Sequence, residues 1–218
     1  METVKIEYQI PESKADITLQ QWLDWEKVIE ANKDDLDSLF VLQKQIEIFC
    51  GVPFEYVTKL KQVEIDEMIG YIHIVFNQKS EFIKQFEFEG VEYGFIPDYD
   101  KDITPAEHWD LTTYSQSKDW ARVLSILYRP ITKKIGNSYQ IESYSGSHLR
   151  FMNLRYDVFD GMIGFFLRVF QELQKHTLLF TQKELMKMKK MNMELHCQDL
   201  AEKINSLTSM EFSQSWFT

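Results

Sequence analysis

The sequence predicts an α+β fold: mostly helical, with a small antiparallel sheet and a long C-terminal helix. Three observations carry this. Apolar residues recur at helical spacing through most of the chain. Strand-type runs are short and few: an N-terminal strand over 3–10, a hairpin over 84–96 and a strand over 138–144. Glycine and proline number only 8 and 5 in 218 residues, too few for a many-turned all-β chain.

Each element has a local reason. Val4, Ile6, Tyr8 and Ile10 alternate with Lys5, Glu7 and Gln9, the pattern of a half-buried strand, and Pro11 closes it. Thr18 with Gln21 forms a capping box that opens a helix over 18–31, with Leu19, Trp22, Trp25 and Ile29 on one face. A second helix fills about 36–50 and Gly51 stops it. Pro53 opens a short third helix, and a fourth, over 64–76, puts Ile65, Met68, Ile69 and Ile72 on one side. The runs 84–88 and 91–96 flank Glu89-Gly90, a tight hairpin turn. Thr104, Pro105 and Glu107 are cap, first helical residue and box partner of the next helix. A helix over 118–128 carries Trp120, Val123, Leu124 and Leu127, and Pro130 stops it. Gly136-Asn137 turns the chain into the strand over 138–144. Helical spacing returns over 156–180, where Gly161 and Gly164 allow another backbone to approach, and again over 182–207.

These elements divide into a mixed α+β domain over 1–180 and a C-terminal helix with an aromatic tail over 181–218. The second part packs on the same domain or on a neighbouring subunit. Phe212, Trp216 and Phe217 are costly to leave in water, so the tail is expected to dock, in cis or in trans.

The net charge of −10 is unevenly placed. Residues 1–110 hold 24 acids and 10 lysines, a net of −14, whereas residues 111–218 hold 14 bases and 10 acids, a net of +4. The two halves could attract one another between neighbouring copies, or simply form a solvated surface. No dense Lys/Arg cluster is present to neutralise phosphates, so sequence-specific nucleic-acid binding is not expected. Cys50 and Cys197 do not make a disulfide framework and are expected as reduced thiols. The start METVKIEYQIPES has no basic region followed by an apolar run, so no secretory leader is expected. The longest apolar stretch, 162–170, follows Asp160 and is broken by Arg168, so no membrane span is expected.

Candidate chemistry is sparse. Asp98, Asp100 and Asp102 have the spacing of the first three ligands of a calcium loop, but Ile103 stands where the loop needs glycine and Trp109 where it needs glutamate. The segment therefore reads as a turn and helix cap. His196 and Cys197 are neighbours that point about 100° apart on a helix, and no second pair has zinc spacing. His73, His108, His148 and His176 are scattered. Ser145-Gly146-Ser147 is a turn, and no nucleophile elbow, phosphate loop, dinucleotide fingerprint or HExxH run occurs. No catalytic, cofactor-binding or metal-binding residue is therefore assigned. Met186, Met188, Met191 and Met193 alternate with Lys187, Lys189 and Lys190, which fits a core-facing stripe with solvated lysines or an adaptable contact helix.

One set of segments goes further: Gly94-Phe95-Ile96-Pro97-Asp98, Ile103-Thr104, Asp110-Leu111, the run 124–131 (LSILYRPI) and Tyr139-Gln140-Ile141-Glu142. Together they resemble a "GFIPD…IT…DL…LYRPI…Y-x-I" pattern of virion structural proteins of crAss-like tailed bacteriophages. The resemblance covers roughly 52–173. Where this chain has Glu107-His108-Trp109-Asp110, the pattern has a glycine-acid-tyrosine run. The resemblance implies a ring component of the short-tail barrel below the portal, a homo-oligomer in contact with other tail or portal proteins, found in the virion after assembly in the host cytoplasm. Its alternatives are a virion cargo protein or a tail-assembly chaperone. A reading of another class is a metal-dependent enzyme using Asp98, Asp100, Asp102 and His108.

Overall fold

A computed structural model of the chain describes residues 8–136, 138–146 and 150–190. The order is a 3-10 turn Lys14–Asp16, helices α1 (Leu19–Ala31), α2 (Leu39–Cys50), α3 (Phe54–Val57) and α4 (Gln62–Phe76), and strands β1 (Gln85–Phe88) and β2 (Val91–Phe95). Then follow α5 (Tyr99–Asp102), α6 (Pro105–Gln116), α7 (Trp120–Leu127), β3 (Tyr128–Ile135), β4 (Ser138–Ile141), a 3-10 turn Arg150–Asn153 and α8 (Tyr156–Lys190). The fold is α+β, with one four-stranded antiparallel meander in the order β1-β2-β3-β4.

The caps act as the sequence predicts. Thr18 Oγ1 accepts from Gln21 N, and Gln21 Oε1 accepts from Thr18 N. Gly51 ends α2 at φ +69, a left-handed conformation that costs glycine little. The β1–β2 hairpin pairs Phe88 with Val91, so Glu89 and Gly90 form the whole turn, with φ +51 and +76. Two successive positive φ values are those of a type I′ turn, whose twist matches the strands.

Three expectations change. Residues 1–7 of the strand expected over 3–10 lie outside the described residues; Tyr8 to Ile10 are not in a strand, and Gln9 N donates to the Cys50 carbonyl instead. The sheet has a strand that periodicity did not signal, β3, directly after α7. Pro130 is accommodated because two ladders share the strand: β2 pairs with 128–130 and β4 with 131–135, with a bulge between Ile131 and Lys133. Finally, the break expected near 181 is absent. α8 runs unbroken from Tyr156 to Lys190, since neither glycine nor proline interrupts it after Gly164. Residues 191–207 of the last expected helix, and the tail aromatics, lie outside the described residues.

The core joins two aromatic groups. Trp22, Phe49, Phe76 and Tyr156 tie α1, α2 and α4 to the start of α8, with ring centroids 4.8 to 5.8 Å apart. Phe82, Phe95, Tyr128 and Phe165 tie the sheet to α8, the closest pair being Phe82 and Phe165 at 4.3 Å. Such pairs add about 0.5–1.5 kcal/mol each beyond the area they bury. The start of α8 is pinned by Leu19 N to Leu154 O and Tyr156 N to Ile17 O, both 2.8 Å, and by the Lys14–Asp160 ion pair at 2.7 Å.

Candidate functional site

The densest polar arrangement lies where α6, α7 and the sheet meet. Glu107 opens α6 and is buried. Its Oε2 accepts from Thr104 N at 2.6 Å, closing the capping box, while Oε1 lies 2.8 Å from Arg129 Nη1 on β3. Arg129 is also buried, and its Nε makes no hydrogen bond to a described residue. One carboxylate thus serves two elements: it caps a helix and neutralises a guanidinium on a central strand. The sequence signalled only the cap, because Arg129 is 22 positions away and nothing local points to it.

Three tyrosine hydroxyls tie the same region together. Tyr144 donates to Asp110 Oδ2 at 2.5 Å, joining the loop after β4 to α6. Burial and the Asp110 carboxylate push the Tyr144 hydroxyl well above its ordinary range. Tyr139 reaches from β4 to donate to the Phe95 carbonyl at 2.6 Å, and burial pushes its hydroxyl up to about 12. Tyr128 donates to the Ile83 carbonyl at 2.8 Å. The Tyr139 ring also lies against Gly94, where an added Cβ would stand 2.4 Å from Cε2. That close approach explains the glycine in β2.

The neighbouring cavity, lined by Tyr93, Ser125, Arg129, Tyr144 and Phe151 among others, has a volume of about 20 Å³. That is room for about one water. The network joins α6 to β3 and to the loop after β4.

Among the described residues, those weighed for metal or base chemistry do not converge. Asp98 and Asp102 serve the single turn of α5: Asp98 pairs with Lys101 at 2.5 Å, and Asp102 Oδ2 accepts from Asp98 N. Asp100 lies within the same turn. His108 is exposed on α6, and His73 and His176 are exposed on α4 and α8. Among the described residues no three His, Cys, Asp or Glu side chains gather as a metal ion would need. Ser145 and Gly146 are in a loop, while Ser147, His148, His196 and Cys197 lie outside the described residues. Cys50 is buried at the end of α2, and burial pushes its thiol up to about 11. Among the described residues no helix is long and apolar enough to cross a membrane.

The other feature with functional content is α8. Its first turns are core: Val158, Phe159 and Met162 are buried, and Gly161 packs so closely that a Cβ would stand 2.1 Å from the Glu81 carbonyl oxygen. Gly161 thus realises the close approach expected of the glycine pair, whereas a Cβ on Gly164 would meet nothing within 4 Å. From Leu167 onward most described side chains are exposed, including Leu167, Val169, Leu178, Leu179 and Phe180. The stretch 167–190 extends about 36 Å at 1.5 Å per residue. Along it apolar and basic residues alternate on an exposed helix.

Searches against protein-family models, curated proteins and solved structures find no match.

Proposed function

We propose that this chain is a virion structural protein of a tailed bacteriophage, a ring component of the short-tail barrel below the portal, which acts by assembling with copies of itself and with other tail or portal proteins. Two independent lines support this. The segments between Gly94 and Glu142 resemble crAss-like virion proteins and supply the virion setting. The observation that carries self-assembly is the α8 arm: Leu178 and Phe180 are 56% and 66% exposed on a helix rooted firmly in the core. Single exposed apolar residues are ordinary, but on this arm Leu167 and Leu178 share one side of the helix and Val169 and Phe180 the other, so the arm offers apolar contacts to partners on two sides.

The junction at α6 fits the same role. Glu107–Arg129 and Tyr144–Asp110 lock the sheet to α6 and so give a rigid body from which an arm can project. Light scattering of the purified full-length chain tests the reading, with negative-stain images of the same sample. Ring-shaped oligomers are expected. A monomer at every concentration, unmoved by tail or portal proteins of its own phage, would overturn it.

A further inference from the structure

The outer face of α4 is another exposed apolar surface, and its details differ from those of α8. Val63, Tyr71 and Ile74 are 65%, 56% and 63% exposed. At helical spacing Val63, Glu67, Gly70 and Ile74 fall on one stripe, with Tyr71 beside it. The inward face of the same helix, Ile65, Met68, Ile69 and Ile72, already holds the core, so the outer stripe is additional. Gly70 stands in mid-helix, where glycine is unfavourable, and an added Cβ would meet no atom within 4 Å. The missing side chain leaves room on this face for another backbone to approach.

Charge decides which backbone. α4 carries Glu64, Asp66 and Glu67, and no lysine or arginine. Residues 166–190 of α8 hold 6 bases and 2 acids. Residues 1–165 hold 28 acids and 17 bases, and residues 191–218 hold 4 acids and 1 base. Residues 118–141 are as basic, with 5 bases and 1 acid, but Lys118, Arg122, Arg129 and Lys134 are already paired with Glu26, Asp119, Glu107 and Glu92 within the body, so the arm is the basic segment left to meet an acidic surface. Two arms side by side would repel, and the acidic tail would repel the α4 face. The arm and the α4 face are opposite in charge, and both expose apolar residues.

We propose that the arm of α8 in one copy lies along the outer face of α4 in a second copy, with Leu178 and its neighbours against Val63 and Ile74, and Lys175 facing Glu67. The proposal rests on the reading of the chain as a self-assembling subunit and names the surface that receives the arm. The contact joins two different patches, so it closes as a reciprocal pair or a ring. Gly70 allows the two helices a close axis-to-axis approach.

Sedimentation velocity on the full-length chain tests it, with circular dichroism confirming that each variant keeps its helices. Leu178→Glu and Ile74→Lys are each expected to weaken self-association at least tenfold. Glu67→Lys and Lys175→Glu are each expected to weaken it, and the two together to restore it, because the charges are exchanged across the contact. If Leu178→Glu dissociates the assembly while Ile74→Lys and Glu67→Lys leave it intact, the arm binds elsewhere; the inference fails and the self-assembly reading stands. If the wild-type chain is monomeric throughout, both fail.

Discussion

The pair Glu107–Arg129 offers a sharp test of how the junction is held. Replace Glu107 by Gln. The side-chain carbonyl still accepts from Thr104 N, since glutamine serves a capping box as well as glutamate does. What is lost is the negative charge 2.8 Å from Arg129 Nη1, with the two side chains 10% and 1% exposed. Breaking one partner of a buried pair leaves an uncompensated charge out of water, at a cost of about 3–5 kcal/mol. Against a total stability of about 5–15 kcal/mol that is a fifth or more. Glu107→Ala adds the lost cap, about 1 kcal/mol further. The double change Glu107→Gln with Arg129→Met removes both charges and keeps the aliphatic volume, so it is expected within about 1.5 kcal/mol of the wild type. Urea unfolding followed by tryptophan fluorescence gives all values, and the double-mutant cycle isolates the coupling. A Glu107→Gln cost below about 1 kcal/mol, or additive single changes, would refute the account.

Three further outcomes follow from particular contacts. Gly94→Ala places a methyl 2.4 Å from the Tyr139 ring and is expected to cost about 1–3 kcal/mol in urea unfolding, a loss that Tyr139→Leu in the same chain largely removes. Glu89→Asn relieves a non-glycine residue at φ +51 in a type I′ turn and is expected to stabilise by about 0.5–1 kcal/mol; a lower melting temperature would contradict the assigned turn. The Cys50 thiol, ordinarily at 9.0 and pushed to about 11 by burial, is expected to resist alkylation at pH 8 until the chain is denatured. The sign of its pH effect is fixed: above pH 9 the unfolded chain releases this proton while the folded chain holds it, so stability falls from pH 9 toward 11. Cys50→Ala should make that alkaline slope shallower, and an unchanged slope would assign it to other groups.

The comparison of sequence with structure has a physical pattern. Thr18, Gly51, Glu89-Gly90 and Thr104-Pro105 were legible because each acts on backbone groups within four residues. The aspartates at 98 and 102 were legible as a turn for the same reason. β3 was not legible: Pro130 reads as a stop, and only the neighbours β2 and β4 make 128–135 a strand. Gly94 was read as a strand residue, but the reason it is glycine sits on Tyr139, two strands away. Arg129, the partner of Glu107, carried no local signal at all.

By itself, then, the sequence determined most of the helices, the hairpin, the caps and the unequal charge of the chain, because periodicity, turn preference and composition are local or additive. Tertiary structure alone decided which cap carboxylate also neutralises a buried arginine, which glycine is closed over and which is open, and where α8 leaves the core. Those depend on residues far apart in sequence that become neighbours only when the apolar faces pack together.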